Sequence, residues 1–329
     1  MKKLFFLLAC VAMSVLSFGQ DNQLVWANGH LLYGTPIESI DSLTYDEMED
    51  IDTLHLLLPR TLIKVVHDTV YIHDTVYVET DCGEDTPSSG IGVFSVGEGK
   101  TVTFSKGNLQ YHPANNEWRF AANQTDYIGD ANSNCSSTYN GWLDLFGWST
   151  SSTNFGVSTS TSSSDYSGSF VDWGTNQIGN DAPNTWRTLS SEEWNYLLNS
   201  RTNASSLKGI AQVNGVNGLI LLPDNWICPA SVNFKSGLHS EPSVEAYGQY
   251  QTFTAEQWSK LESVGAVFLP AAGLRDGSNV GQVQLIGCYS STTATYGGRK
   301  SCLSILAHEV CTTHNPGYFG LSVRLVKDL

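Results

Sequence analysis

Eight of the nine tryptophans in this 329-residue chain lie beyond residue 91, and only Trp26 precedes them. A tryptophan needs a large apolar enclosure and a partner for its indole N–H. The one sizeable core must therefore be built from about residue 91 to 329. Acidity is concentrated on the other side of that line. Residues 21–90 hold 14 acidic and 2 basic side chains, and so supply −12 of the formal −15. Residues 91–329 hold 18 and 13. Neither half offers the basic surface that phosphate backbones require, which excludes nucleic acid as a partner.

The segments before the core read as export and spacing. Lys2 and Lys3, the apolar run Leu4 to Leu16, and Ser17-Phe18-Gly19 before Gln20 form a signal peptide over 1–19. A membrane span needs ~20 apolar residues, and no later stretch reaches that length. Leu7-Leu8-Ala9-Cys10 has the look of a lipoprotein cleavage box. Cutting there leaves half of the apolar run on the mature chain, so a cut near Gly19 or Gln20 fits better. Export to the cell exterior or outer-membrane surface follows, with peripheral or lipid attachment left open. Residues 20–63 form a small acidic module with β-like runs at Leu31 to Tyr33 and Ile40 to Tyr45. Residues 64–90 read as a stalk. His67-Asp68-Thr69-Val70-Tyr71-Ile72 repeats as His73-Asp74-Thr75-Val76-Tyr77-Val78, too few copies for a solenoid. The His-Asp pairs make poor metal ligands, because neighbours on a strand face opposite ways. Asp81 to Gly90 is linker by composition.

From residue 91 onward the pattern is α+β: two helices among many short antiparallel strands and long loops. Thr101 to Ser105 alternates as a strand does. Leu109-Gln110-Tyr111 and Trp118-Arg119-Phe120 flank a turn at Pro113 to Asn116. Ser190 with Glu193, and Thr254 with Gln257, are capping boxes opening helices, the second stopped by Gly265. Ala211 to Leu222 predicts strands around Asn214-Gly215 and Asn217-Gly218. Ser149 to Ser169 is a Ser/Thr-rich loop, and Leu321 to Lys327 is a closing strand.

The residues from Gly287 to Leu329 carry the functional signal. Tyr289-Ser290-Ser291-Thr292 and Gly320 to Val326 form a regular frame around a run with no clear helical or strand period. That run mixes chemistries without a catalytic pattern, which suits a surface fitted to a partner. Candidate ligand contacts are Tyr289, Tyr296, Arg299, His308, Glu309, His314, Tyr318, Phe319 and Leu321. Aromatic and Arg side chains are the usual interface anchors. Tyr318 and Phe319 are adjacent, so both cannot face inward on a strand.

Several stretches together resemble one family. They are Phe104-Ser105-Lys106-Gly107-Asn108-Leu109-Gln110-Tyr111, Trp186 to Trp194, Gly218 to Trp226, Phe268-Leu269-Pro270-Ala271-Ala272-Gly273 and Ser322-Val323-Arg324-Leu325-Val326. They are similar to exported proteins of Bacteroides-type bacteria with a C-type-lectin fold, akin to the formylglycine-generating, sulfatase-modifying group. The resemblance implies paired first and last strands, Val102 to Phe104 against Val323 to Leu325. It also implies a variable C-terminal surface, which in some members is rewritten by a diversity-generating retroelement. One residue departs: the family usually has Trp where this chain has Tyr289.

Other chemistries fit less well. Cys302, His308, Cys311 and His314 match no common zinc spacing, and no acid orients a Cys–His nucleophile pair. Glu241-Pro242-Ser243 and Pro223-Asp224-Asn225-Trp226 echo calcium-lectin motifs but read as turns. Cys82, Cys135, Cys228, Cys288, Cys302 and Cys311 show no repeating spacing, so at most one or two bridges are expected. The sequence points to a protein- or glycan-binding protein with no cofactor and no enzymatic role. A sulfatase-modifying enzyme and a structural fimbrial component are the alternatives.

Overall fold

The computed structural model describes residues 92–229, 232–238 and 250–329, together with the backbone of five earlier strands. The signal segment, the hexapeptide repeats, the 81–90 linker and Glu241 to Ser243 lie outside the described residues. The chain divides into two compact units, Met1–Gly83 and Glu84–Leu329. In the first, β1 (Asn22–Ala27) and β2 (His30–Pro36) form an antiparallel hairpin. Strands β3 (Ser42–Tyr45), β4 (Thr53–Leu58) and β5 (Thr61–Val66) form a three-stranded antiparallel sheet. Strand β5 runs three residues into the segment read as stalk.

The second unit is α+β, with its sheets antiparallel except for one short parallel pair. It opens with β6 (Phe94–Gly97), β7 (Lys100–Phe104), β8 (Leu109–His112) and β9 (Glu117–Phe120). Helix α1 (Ser191–Asn195) continues into a π turn at Tyr196–Ser200. Next come β10 (Lys208–Val213), β11 (Val216–Leu221), β12 (Thr252–Phe253), α2 (Ala255–Ser263) and β13 (Val267–Pro270). Strands β14 (Leu274–Asp276), β15 (Asn279–Gly281), β16 (Gly287–Ala294), β17 (Arg299–Ile305), β18 (Val310–Pro316) and β19 (Val326–Asp328) complete it. The sheets run β12-β10-β11-β13, β16-β17-β18, β19-β7-β6, β8-β9 and β14-β15.

Local chemistry explains the element boundaries. Both capping boxes close reciprocally: Ser190 accepts from Glu193 N–H while Glu193 accepts from Ser190 N–H, and Thr254 and Gln257 do the same. Glu193 has a second task, because its carboxylate takes both Nη groups of Arg187 at 2.8 and 2.9 Å. The Arg187 Nε donates to Asp328 at 2.9 Å, tying the α1 cap to β19. Asn214 and Gly215 have φ of 48° and 81°, the left-handed pair a two-residue hairpin favours. Asn217-Gly218 is no turn but part of β11. A Cβ on Gly218 would lie 2.3 Å from the Leu269 carbonyl oxygen, so only glycine admits β13 there.

The terminal strands pair, in a register three residues beyond the one expected. Val102 to Phe104 meet Asp328 to Val326. Val323 and Leu325 are engaged elsewhere, their carbonyls accepting from Leu109 N–H and Ser105 N–H, both at 2.9 Å. One core cluster collects Phe94, Phe104, Trp194, Leu219, Leu269, Leu303 and Val326 from three sheets and α1. A second holds Trp258 and Leu261 of α2 against Phe268, and a third is aromatic, with Tyr111, Trp118, Phe146 and Trp173. Each such side chain, fully buried, contributes roughly 2 kcal/mol of transfer free energy. The Ser/Thr-rich loop is packed inward at its start, where Ser149, Thr150 and Thr153 are buried and Thr153 Oγ1 donates to the Trp148 carbonyl.

Asp144 is wholly buried, accepting from Asn132 Nδ2 at 2.8 Å and Ile128 N–H at 2.9 Å. Burial outweighs those bonds and pushes its carboxyl up to about 6. The folded-state value lies above the unfolded one, so the native chain holds a proton that the unfolded chain releases between them. The stability this proton supplies is full below about pH 4 and is lost as pH rises through about 6, a swing on the order of 3 kcal/mol. Chemical denaturation of Asp144→Asn beside the wild type at pH 4 and pH 7 tests this. The stability difference, wild type minus variant, should be larger at pH 4; a difference unchanged with pH contradicts it.

Candidate functional site

The tail without an evident period is in fact a regular sheet. Strand β17 lies between β16 and β18, with Tyr289 opposite Leu303 and Leu303 opposite Thr312. Alternation puts Tyr289, Leu303, Ile305 and Val310 on the side facing the main core. The other side carries Cys288, Cys302, Ser304, Cys311 and Thr313. Polar side chains at buried positions obscured this period: Lys300, Ser301 and Cys302 are all buried. Lys300 is accommodated by laying its ammonium 4.6 Å from the Trp148 ring centre, and burial lowers its pKa.

Two candidate contacts are corrected outright. Tyr289 is 0% exposed, its hydroxyl donating to the Pro270 carbonyl at 2.9 Å and accepting from Asn108 Nδ2 at 3.4 Å. Leu321 is buried with Cys288 and Cys302, and its N–H donates to the Phe146 carbonyl. Both are framework, because the sheet's inner face and the closing segment need them. Tyr318 and Phe319 lie in a turn after β18 rather than on a strand, so both are half-buried. Their rings meet edge to face at 5.2 Å, and Phe319 packs against the Cys288–Cys302–Leu321 cluster.

The remaining candidates fall at opposite ends of the sheet. Tyr296, 90% exposed, stands on the β16–β17 tip, where Gly297 and Gly298 have φ of 69° and 76°. Arg299 starts β17, and its Nη1 donates to the His314 carbonyl at 3.1 Å; His314 is exposed opposite Ser301. His308 and Glu309 sit in the β17–β18 turn, the length of a seven-residue strand away, about 20 Å. Glu309 is exposed, whereas the His308 Nδ1 is buried and without a partner among the described residues. The tip has a neighbour that the sequence did not pair with it. The turn Ser163–Tyr166 of the Ser/Thr-rich loop packs beside Tyr296–Gly298, presenting exposed Ser163, Ser164 and Asp165. Its only signal in the chain was composition. Tyr296, Arg299, His314 and these hydroxyls thus form one exposed surface.

The spacing of cysteine and histidine does not gather them. Cys302 and Cys311 lie on one sheet face and His314 on the other. The Pro223 to Trp226 stretch is a turn, with Asp224 engaged by Arg201 and Ser95. Cys302 accepts from Asn315 Nδ2, and the hydrogen-bonded Cys288 sulfur together with burial holds its thiol well above the usual range. No protein family, curated protein or solved structure matches this chain.

Thiol exposure separates the cysteines of the described unit. Alkylation of the native protein followed by peptide mass spectrometry should modify Cys228, which is exposed, roughly tenfold or more faster than Cys302, which is fully buried and protonated. Equal rates would show that the Cys288–Cys302 face opens in solution.

Proposed function

We propose that this chain is an exported binding protein whose C-terminal unit engages a protein or glycan partner through the surface around Tyr296, Arg299 and His314. The observation that carries this reading is the hairpin tip. A tyrosine 90% exposed, beside an arginine and a cluster of hydroxyls, crowns a sheet whose inner face is locked into the core. Exposed aromatic and guanidinium groups on a rigid base lose little freedom on binding and supply most of the energy of typical interfaces. His308 and Glu309 belong to a separate patch in this reading and stay outside the contact.

The C-type-lectin fold of Bacteroides surface proteins is the architecture we assign. Its support is the pairing of β19 with β7 and the quoted motifs, each of which falls at a structural joint. Trp186 to Trp194 holds the Arg187 bridge and the α1 cap, and Gly218 sits where β11 meets β13. The exposed tip and the buried frame also suit a gene diversified at contact codons. A reverse transcriptase beside the gene, with a near-copy of its final codons differing at adenines, is the expected genomic finding; its absence removes the retroelement from the proposal but not the surface. Among the described residues no helix is long and apolar enough to cross a membrane.

Screening the purified protein against arrays of cell-surface glycans and proteins supplies a ligand for the decisive comparison. Tyr296→Ala and Arg299→Ala should each weaken binding about tenfold or more, with Glu309→Ala near wild type. Full affinity in both variants would move the site elsewhere.

A further inference from the structure

A cleft of about 880 Å³ opens where the β8–β9 hairpin meets the 125–128 loop and the 178–181 turn. None of its lining residues comes from 287–329, so it is separate from the hairpin-tip surface. Its position is fixed by backbone bonds: Gly179 N–H donates to the Trp118 carbonyl on β9, and Ile128 N–H donates to the buried Asp144. We propose that this cleft binds an acidic saccharide of the uronic-acid type, a hydroxylated ring carrying a single carboxylate, with Arg119 as its anchor.

Arg119 is the best-prepared group in the cleft. Its guanidinium lies 3.6 Å from the Trp142 ring centre, and its Nε donates to Gln110 at 2.9 Å. Gln110 is itself buried, so the fork is held in one orientation. Neither Nη of Arg119 has a partner among the described residues, and the same holds for the exposed Lys106 ammonium nearby. A planar guanidinium fixed in this way with both Nη groups open matches a carboxylate bidentately.

The rest of the lining selects the remainder of the ligand. Asp126 and Asp181 are already engaged, accepting from Asn123 N–H and Trp186 Nε1, but each retains acceptor capacity toward the cleft. Two carboxylates beside the arginine repel a polyanion such as a polyphosphate, yet they accept readily from sugar hydroxyls. Tyr127 accepts from Gln284 Nε2, which leaves its own O–H free to donate. Buried Ile178 and Phe120 provide an apolar floor for the C–H face of a ring. One cationic fork, two acceptors and an apolar floor together call for a molecule with one carboxylate, several hydroxyls and an apolar side.

The test is isothermal titration calorimetry of the full chain with trisaccharides in which a single galacturonate, glucuronate or mannuronate caps two neutral sugars, so that each carries one carboxylate, and with the matching neutral trimers. At least one uronate trimer should bind, about tenfold or more tighter than its neutral counterpart, and added salt should weaken it. Arg119→Gln and Arg119→Lys should each lose about tenfold or more, since lysine keeps the charge but not the fork. If thermal melting shows that Arg119→Gln is unfolded, Arg119→Lys carries the comparison. No uronate binding up to millimolar concentration, equal binding of acidic and neutral trimers, or wild-type affinity in a folded Arg119 variant would overturn the proposal. Tyr296→Ala should leave uronate binding unchanged. Binding lost in that variant and kept in Arg119→Gln would place the sugar on the hairpin tip and sink only the cleft.

Discussion

Residues 320–328 are the common hydrogen-bonding partner of the C-terminal unit. Gly320 exchanges backbone bonds with Arg275, Leu321 with Phe146, and Ser322 bonds to Cys288 and Ser290. Val323 and Leu325 accept from Leu109 and Ser105, Val326 exchanges with Arg187, and Val326 to Asp328 pair with β7. A buried backbone must satisfy every N–H and C=O, and here successive residues meet that demand with different parts of the chain. The side chains agree with the backbone, since Val323, Leu325 and Val326 are fully buried in two clusters. Displacing this one segment would open the main sheets, the aromatic cluster and the α1 cap together.

Buried cations reinforce the same joints by binding carbonyls. Arg275 donates to the Ser158, Gly277 and Leu145 carbonyls, fastening the Ser/Thr-rich loop to β14. Arg324 reaches Gln124 and the Phe268 carbonyl, and its burial lowers its pKa to about 10. Arg201 closes the π turn by donating to Leu197 and Leu207 while pairing with Asp224. These donors are multidentate and cannot easily shed their charge, so each holds loop backbone in place where no regular ladder reaches. The loop bearing Ser163 to Asp165 is held by one such bond at Ser158 and, nearer the tip, by buried Tyr166, whose hydroxyl donates to the Ser160 carbonyl, and by Ser152, whose hydroxyl donates to the Asp165 carbonyl.

Much of the scaffold was legible because local chemistry and tertiary structure agree. The capping boxes at Ser190 and Thr254, the Asn214-Gly215 turn and the Pro113 to Asn116 turn each follow from nearby residues alone. The β16–β18 sheet was not legible, because its buried positions include Lys300, Ser301 and Cys302, whose polarity masks the strand period. Burial there depends on Trp148 and on the cysteine-rich face, both supplied by tertiary contact. Tyr289 and Leu321 read as contacts for the same reason, since proximity in sequence to the variable-looking run said nothing about the face each takes. The closing strand was expected over Leu321 to Lys327, yet the strand that pairs with β7 is only Val326 to Asp328 and its register differs, because Val323 and Leu325 serve partners more than two hundred residues away. The Arg119 cleft left no mark in the chain, being assembled from three separate hairpins and loops.

Gly297 and Gly298 have no neighbour within 4 Å of where a Cβ would stand. No core side chain touches that tip, although the positive φ of both glycines favours glycine there, and β16 and β17 beneath it pair from Gly287 to Ser290 and again at Ala294, with an irregularity between. Under the proposed function, folding and recognition are written in different letters of the same forty residues. On that reading, the side chains of Tyr296, Arg299 and His314 can change without renegotiating how the domain closes, while Gly297 and Gly298 between them are kept by their backbone conformation.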